Sequence, residues 1–151
     1  MTTSQTNEQA LESSIEKRLT GTSLEELKEK GVYDHIASER DDMYRAGNGY
    51  FVGLPADFNA RLSIDEYRFW NFLESTQKEE LDKLRKESDW KTKILERLDR
   101  MIKKYGILQI FRKGLSVVDA HFTMLYPLPL PSSSDTVHKN FESNQFSVTR
   151  Q

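Results

Sequence analysis

Apolar residues near the start of the chain recur at every fourth position, which is typical of one face of an α-helix. In the stretch ALESSIEKRL, this line consists of Leu11, Ile15 and Leu19. The pattern predicts a helix over about residues 8–20 with these three residues on one face. The expected ends of this helix are a cap at Thr6 or Asn7 and a terminal glycine at Gly21.

A second line on the same helix has the same spacing but is acidic, and it consists of Glu8, Glu12 and Glu16. One interpretation is a solvated face, because acidic residues near a helix start also suit the helix dipole. The other interpretation is that one carboxylate lines a metal site. Periodicity alone favours the solvated face.

Capping residues, glycines and apolar spacing predict further helices along the chain. A long loop is expected at 32–59, with at most one short helix. The helices are expected from Ser23 to Gly31, from Ser63 to about Thr76, from Lys78 to Lys104 with a hinge near Ser88, and over ILQIFRK up to Gly114.

The C-terminal part of the chain has strand character. HFTMLYPLPLP is predicted to be a strand that its prolines end, since proline cannot donate to a ladder. SSSDTVHKNFESN is expected to form loop and short helix, and the alternation in NQFSVTRQ predicts a last strand. Two strands make a poor sheet, so the sequence is expected to be a piece that is cut from a longer fold.

The 151 residues are 36% hydrophobic and 30% charged, with a net charge of −2. This is enough for one domain with a modest core. Residues 1–77 carry a net negative charge and residues 78–113 a net positive charge, and a basic segment of this kind is compatible with an anionic partner. Residues 1–7 are polar and expected to be disordered. Cysteine is absent, and neither a secretory pattern nor an apolar run of membrane length is found, so we expect a cytoplasmic protein with no membrane contact.

Motifs for a catalytic site within this chain are sparse. The three histidines, His35, His121 and His138, lack the spacing of zinc ligands. No GxxxxGK[ST] loop occurs, and the glycine-rich GNGYFVG lacks the strand and capped helix that a phosphate loop needs. A serine triad is not indicated either.

Basic residues dominate the helix after the expected hinge. They are interleaved with acidic residues and are distributed around the helix, which favours a solvated face over a DNA groove. Any contact with DNA should therefore be to phosphates and non-specific. The candidate DNA-contacting residues are Lys91, Lys93, Arg97, Arg100, Lys103 and Lys104.

Three longer stretches carry a family resemblance: GYFVGLPADFNARLSIDEYRFWNFLESTQKEEL, ILERLDRMIKKYGILQIFRKGLSVVDAHFTMLYPLPLPSSS and NFESNQFSVTRQ. They resemble the N-terminal region of the R subunit of type I restriction enzymes, which contains the nuclease and the DNA-translocating motor. The resemblance covers nearly everything from 8 to 151 and is weakest at 32–46.

The resemblance implies a restriction-endonuclease-like nuclease domain, helix-rich α+β, with a helical insertion over about 60–114. Such nucleases hold Mg²⁺ with an Asp on one strand and with the acidic residue of an E-x-K strand, and often with a Glu on the first helix. The family register puts that glutamate at Glu12, a possible metal ligand, with Glu16 as the alternative, and implies that Ile15 and Leu19 face the core. Glu16 is expected to lie one turn further along, towards solvent.

In the family, the Asp and the E-x-K strand follow shortly after FSVTRQ. The chain is therefore expected to be an incomplete nuclease domain over 8–151, inactive alone and binding neither Mg²⁺ nor ATP well. The parent enzyme cleaves foreign double-stranded DNA with Mg²⁺ and ATP, together with methyltransferase and specificity subunits. The rival hypothesis is a non-catalytic helical module that binds DNA or protein.

Overall fold

The structure, a computed structural model, describes residues 2–35 and 49–150. Part of the expected loop at 32–59, including most of the stretch where the resemblance is weakest, lies outside the described residues. Helices predominate and the strands are short, which confirms the helix-rich α+β class. Along the chain, the elements are α1 (Thr2–Thr20), α2 (Leu24–Glu29), β1 (Phe51–Val52), a 3₁₀ turn (Pro55–Asp57), β2 (Phe58–Asn59), β3 (Ile64–Asp65), α3 (Glu66–Thr76), α4 (Lys78–Leu84), α5 (Trp90–Tyr105), α6 (Ile107–Lys113), β4 (Leu115–Val117), β5 (Ala120–Phe122), α7 (Asp135–Glu142) and β6 (Ser147–Val148).

The chain divides into two compact units. Unit 1 comprises Met1–Arg68 and Gln145–Gln151, and unit 2 comprises Phe69–Asn144. Each sheet among the described residues has two strands: β1 pairs with β6 and β2 with β3 in unit 1, and β4 pairs with β5 in unit 2. Within the same residues, no helix combines the length and apolar character that crossing a membrane requires.

In unit 1, the strands β1 and β6 run parallel, although they lie almost a hundred residues apart in sequence. The amide of Phe51 donates to the carbonyl of Phe146 at 2.7 Å, and the amide of Gly53 donates to the carbonyl of Val148 at 2.8 Å. A Cβ at Gly53 would collide with the hydroxyl of Thr149, so this close approach requires glycine. The last strand is thus confirmed, whereas its partner β1 lies in a region that was predicted to be a loop.

Two predicted helix starts are wrong. Helix α1 begins at Thr2, well before the expected cap at Thr6 or Asn7. Helix α3 begins at Glu66, because residues Ile64–Asp65 pair with β2 and the Asp65 carboxylate accepts the amide hydrogen of Arg68 at 3.1 Å. The expected cap, Ser63, instead has a φ of 55° and lies before that short strand.

Unit 2 is built around apolar side chains from its helices and hairpin. The predicted hinge near Ser88 is confirmed, because α4 ends at Leu84 and α5 begins at Trp90. Helix α6 ends at Lys113, directly before Gly114, also as predicted. The buried apolar residues are Phe72, Leu73, Leu81, Leu84, Ile94, Leu98, Ile110, Leu115, Val117, Ala120 and Phe122.

The strand predicted over HFTMLYPLPLP is confirmed only at its start. Strand β5 ends at Phe122 and pairs with β4, which the sequence pattern did not reveal. Beyond β5, two side-chain amides take the place of a neighbouring strand. Gln77 forms hydrogen bonds with both the backbone amide and the carbonyl of Thr123. Asn144 forms the same two hydrogen bonds with the backbone of Tyr126. These bonds satisfy backbone groups in a segment that the prolines keep out of a sheet.

Candidate functional site: an acidic cluster around Arg150

Two helices and the end of the last strand bring four charged side chains together in unit 1. Helix α1 ends where Gly21, at a φ of 85°, donates to the carbonyl of Lys17. The hydroxyl of Ser23 then accepts the amide hydrogen of Glu26 at 3.3 Å and starts α2, as predicted. This tight connection places Glu25 in the first turn of α2, across from α1.

The guanidinium of Arg150, directly beyond β6, contacts three carboxylates. Its Nη1 lies 2.8 Å and 2.7 Å from the two oxygens of Glu25, and 3.4 Å from Oε1 of Glu16. Its Nε lies 3.4 Å from Oε2 of Glu12. Only 12% of the Arg150 side chain is exposed, so the attraction is screened less than in a surface pair.

Glu16 is the innermost member of this cluster, with only 2% of the residue exposed. Its Oε1 also accepts the amide hydrogen of Leu24, the first residue of α2, at 2.7 Å. Burial raises the pKa of Glu16 above its ordinary value of 4.5, while the Leu24 amide and Arg150 act in the opposite direction. Glu16 therefore joins α1 to both α2 and the end of β6.

Glu25 and Arg150 shift each other's pKa in opposite directions. The hydrogen bonds from Arg150 hold the pKa of Glu25 below its ordinary value of 4.5, and those same bonds raise the pKa of Arg150. Both groups stay charged at neutral pH. The sequence hypothesis did not include either of them, although Ser23, as a helix cap, was a signal that Glu25 lies at a helix start.

The orientation predicted for α1 is wrong at Ile15 and Glu16. Ile15, expected to face the core, is 49% exposed, and Glu16, expected to point towards solvent, is buried, whereas Leu19 is half-buried. Arg150 and the Leu24 amide supply the opposite charge and the hydrogen bond that allow a carboxylate to be buried. Glu12, with 45% of its side chain exposed, lies at the rim of the cluster and is accessible to a ligand.

The described residues do not form a complete magnesium site. None of their acidic and histidine side chains group in threes in a geometry that could hold a metal ion. In the Arg150 cluster, the guanidinium already supplies the positive charge that the carboxylates need. The arrangement places Glu12 beside the end of β6, and on its own it is a structural ion cluster.

The six basic candidates on α5 have different surroundings in unit 2. Lys91 lies over the rings of Trp70 and Trp90, Lys104 lies over Tyr105, and Lys103 pairs with Asp99 at 2.9 Å. The remaining three line a groove of about 390 Å³ between α5 and the β4–β5 hairpin, together with Glu96, Ser116, Val117 and Val118. They are Lys93, Arg97 and Arg100.

The expectation that the basic residues are simply distributed around the helix therefore needs correction. Positions 93, 97 and 100 share one helix face, because they are separated by four and three residues. The spacing of these three residues was present in the sequence, whereas the groove was not, because its other wall is a hairpin that the sequence pattern did not predict.

Comparisons of the chain with protein-family models, with curated proteins and with solved structures found no match.

Proposed function

We propose that this chain is the N-terminal part of the nuclease domain of a type I restriction enzyme R subunit. Its parent protein cleaves foreign double-stranded DNA in the cytoplasm, depends on Mg²⁺ and ATP, and works with methyltransferase and specificity subunits. The restriction-endonuclease-like fold belongs to this proposal, as does the role of the helices at 60–114 as an insertion. The sequence resemblance is its starting point.

The contact between Arg150 and α1 is the observation that carries the proposal. Arg150 belongs to the FSVTRQ match and lies 3.4 Å from a carboxylate oxygen of both Glu12 and Glu16. In the family that the chain resembles, the metal-binding Asp and the E-x-K strand follow this motif. A parent chain that continues from here starts its catalytic strands beside the first-helix carboxylates, as such a nuclease requires.

Within this proposal, the two candidate glutamates have different roles. Glu12 lies at the exposed rim and is the carboxylate that contributes to the metal site of the complete domain. Glu16 is committed to Leu24 and Arg150, so it is a positioning residue that fixes the helix carrying Glu12. The described residues alone do not complete a magnesium site, and we assign no catalytic step to this chain in isolation.

The decisive experiment replaces Glu12 with Gln in the full R subunit. Loss of one carboxylate from the metal cluster should reduce DNA cleavage on the order of 100-fold. ATP hydrolysis should stay at the wild-type rate, because the motor uses another site. The matched control is Glu8→Gln, one turn earlier on the same helix, which should leave both activities unchanged.

Cleavage by the Glu12→Gln enzyme at the wild-type rate would contradict the role of Glu12. If cleavage remained normal in Glu16→Gln as well, with the subunit folded, the first helix would have no part in the nuclease. The rival, a non-catalytic binding module, would then be the better account. The 151-residue chain itself, incubated with plasmid, Mg²⁺ and ATP, should leave both substrates intact.

A further inference from the structure

The groove in unit 2 between α5 and the β4–β5 hairpin combines positive charge with an unusual backbone. Lys93, Arg97 and Arg100 line one wall and Ser116, Val117 and Val118 line the other. Glu96 is the acidic residue in this lining, so the three cations leave a net positive charge of two. Charge of this density favours an anionic ligand.

Hydrogen bonds connect α5 with the hairpin beside the groove. Nε of Arg97 donates to the carbonyl of Ser116 at 3.1 Å, which ties α5 to β4. The hydroxyl of Ser116 in turn lies 2.8 Å from Nδ1 of His121 on β5. Lys93 pairs with Glu87 and also with Asp89 at 3.8 Å, whereas Arg100 is exposed and has no ion-pair partner among residues 2–35 and 49–150. Arg100 is thus available to a ligand.

The tip of the hairpin is strained beside this charge. Val118 has a φ of 56°, which a β-branched residue rarely adopts, and it is 83% exposed. Neither packing nor a buried contact accounts for a valine at this position. Strained residues of this kind cluster at ligand-contacting sites.

The spacing of the cations matches a nucleic acid strand. Lys93 and Arg100 are seven residues apart on one helix, which corresponds to about 10 Å along its axis. Along the axis of duplex DNA, one strand carries about three phosphates over the same length. If α5 lies along that axis, its three cations come close to three successive phosphates.

We propose that this groove binds the phosphodiester backbone of duplex DNA, with Lys93, Arg97 and Arg100 contacting successive phosphates and the Val118 tip lying against the same strand. The choice of duplex DNA rests on the proposed function. The binding itself needs neither metal nor catalysis. Glu96 opposes the ligand charge and limits the affinity.

The test is equilibrium binding of a fluorescent 30-base-pair duplex to the full 151-residue chain, without divalent metal, at several salt concentrations. Replacing Lys93, Arg97 and Arg100 together with Gln should weaken binding about 10-fold or more and reduce the slope of log Kd against log salt by about 2.7. The control replaces Lys91, Lys103 and Lys104 with Gln. It removes the same charge and should change Kd by less than about 3-fold.

Two single variants distinguish a loss of DNA contacts from a folding defect. Arg100→Gln removes an exposed side chain and should weaken binding about 2-fold or more on its own. Glu96→Gln should tighten binding, whereas Glu142→Gln on α7 should not. Tighter binding cannot result from a damaged fold.

Several results would overturn the proposal: no duplex binding by the wild-type chain, an equal loss in both triple variants, or no change with Glu96→Gln. Equally tight binding of polyglutamate would indicate an acidic protein partner instead. None of these results bears on Glu12, because no cleavage is measured. If the groove does not bind DNA, the nuclease proposal is still tested separately, by DNA cleavage with the Glu12→Gln enzyme.

Discussion

Unit 1 and unit 2 bury different kinds of side chain. Among the described residues, unit 2 buries eleven apolar side chains and one polar residue, Asn144. Unit 1 buries five apolar side chains beside five polar or charged residues, which are Glu16, Thr20, Thr22, Ser23 and Arg68. Unit 2 is thus stabilised mainly by apolar burial, whereas unit 1 also depends on hydrogen bonds and charge.

The difference has consequences for where chemistry can be placed. Apolar burial does not depend on the charge state of a side chain, but it positions no reactive group. In unit 1, Arg68 covers the ring of Phe51 at 3.9 Å, and Arg150 joins Glu12, Glu16 and Glu25. Such contacts fix charged groups in defined positions at a cost in desolvation.

The largest expected effect lies in the core of unit 2. Leu98 is 1% exposed, so Leu98→Ala leaves a cavity and should lower the free energy of unfolding by about 3 kcal/mol. Leu128 is 77% exposed, so Leu128→Ala should change the free energy of unfolding by less than about 0.5 kcal/mol. Urea unfolding followed by circular dichroism measures both. Similar values for the two variants would mean that unit 2 has no well-packed core.

A smaller effect of opposite sign is expected at the hairpin of unit 2. Val118→Gly removes the cost of a positive φ and suits the first position of a two-residue hairpin turn. It should raise the free energy of unfolding by about 1 kcal/mol. Val118→Ile keeps the branched side chain and should bring no gain. A loss of stability in Val118→Gly would contradict the strain at this tip.

The smallest effect concerns how the stability of unit 1 depends on pH. Because burial raises the pKa of Glu16, its contribution is fully present below about pH 4.5 and is lost as the pH rises through the raised value. The pKa of Glu25 is lowered, so its contribution is present above about pH 4.5 and is lost as the pH falls through the lowered value.

Unfolding of the wild-type chain, Glu16→Gln and Glu25→Gln between about pH 3 and 7 separates these contributions. With rising pH, the wild type should lose stability relative to Glu16→Gln and gain stability relative to Glu25→Gln. The same trend in both comparisons would show that the two carboxylates do not differ in the way that their surroundings imply.

Local signals in the sequence predicted much of the fold. The glycines at 21 and 114, the Ser23 cap and the apolar spacing on α4 and α5 act within a few residues, so they could be recognised directly. Strands β1 and β4 could not be recognised in this way, because each is only two or three residues long and depends on pairing with its partner strand.

The candidate site was predicted in part. The resemblance to the R subunit pointed to Glu12 and Glu16, and both lie in the Arg150 cluster, while their role in a metal site stays a prediction. The burial of Glu16 could not be predicted, because the charge that compensates it comes from a residue 134 positions later. Periodicity ranks apolar residues as the buried ones and contains no information about such a distant partner.

Hydrogen exchange of individual backbone amides in Arg150→Gln tests most directly whether charge holds unit 1 together. The account predicts about 10-fold faster exchange at Leu24, Phe51 and Gly53, whose amides bond to Glu16 and to the last strand. In unit 2, the amides of Gly114 and Thr123 should exchange as in the wild type. Unchanged protection in unit 1, or an equal loss in both units, would contradict the account.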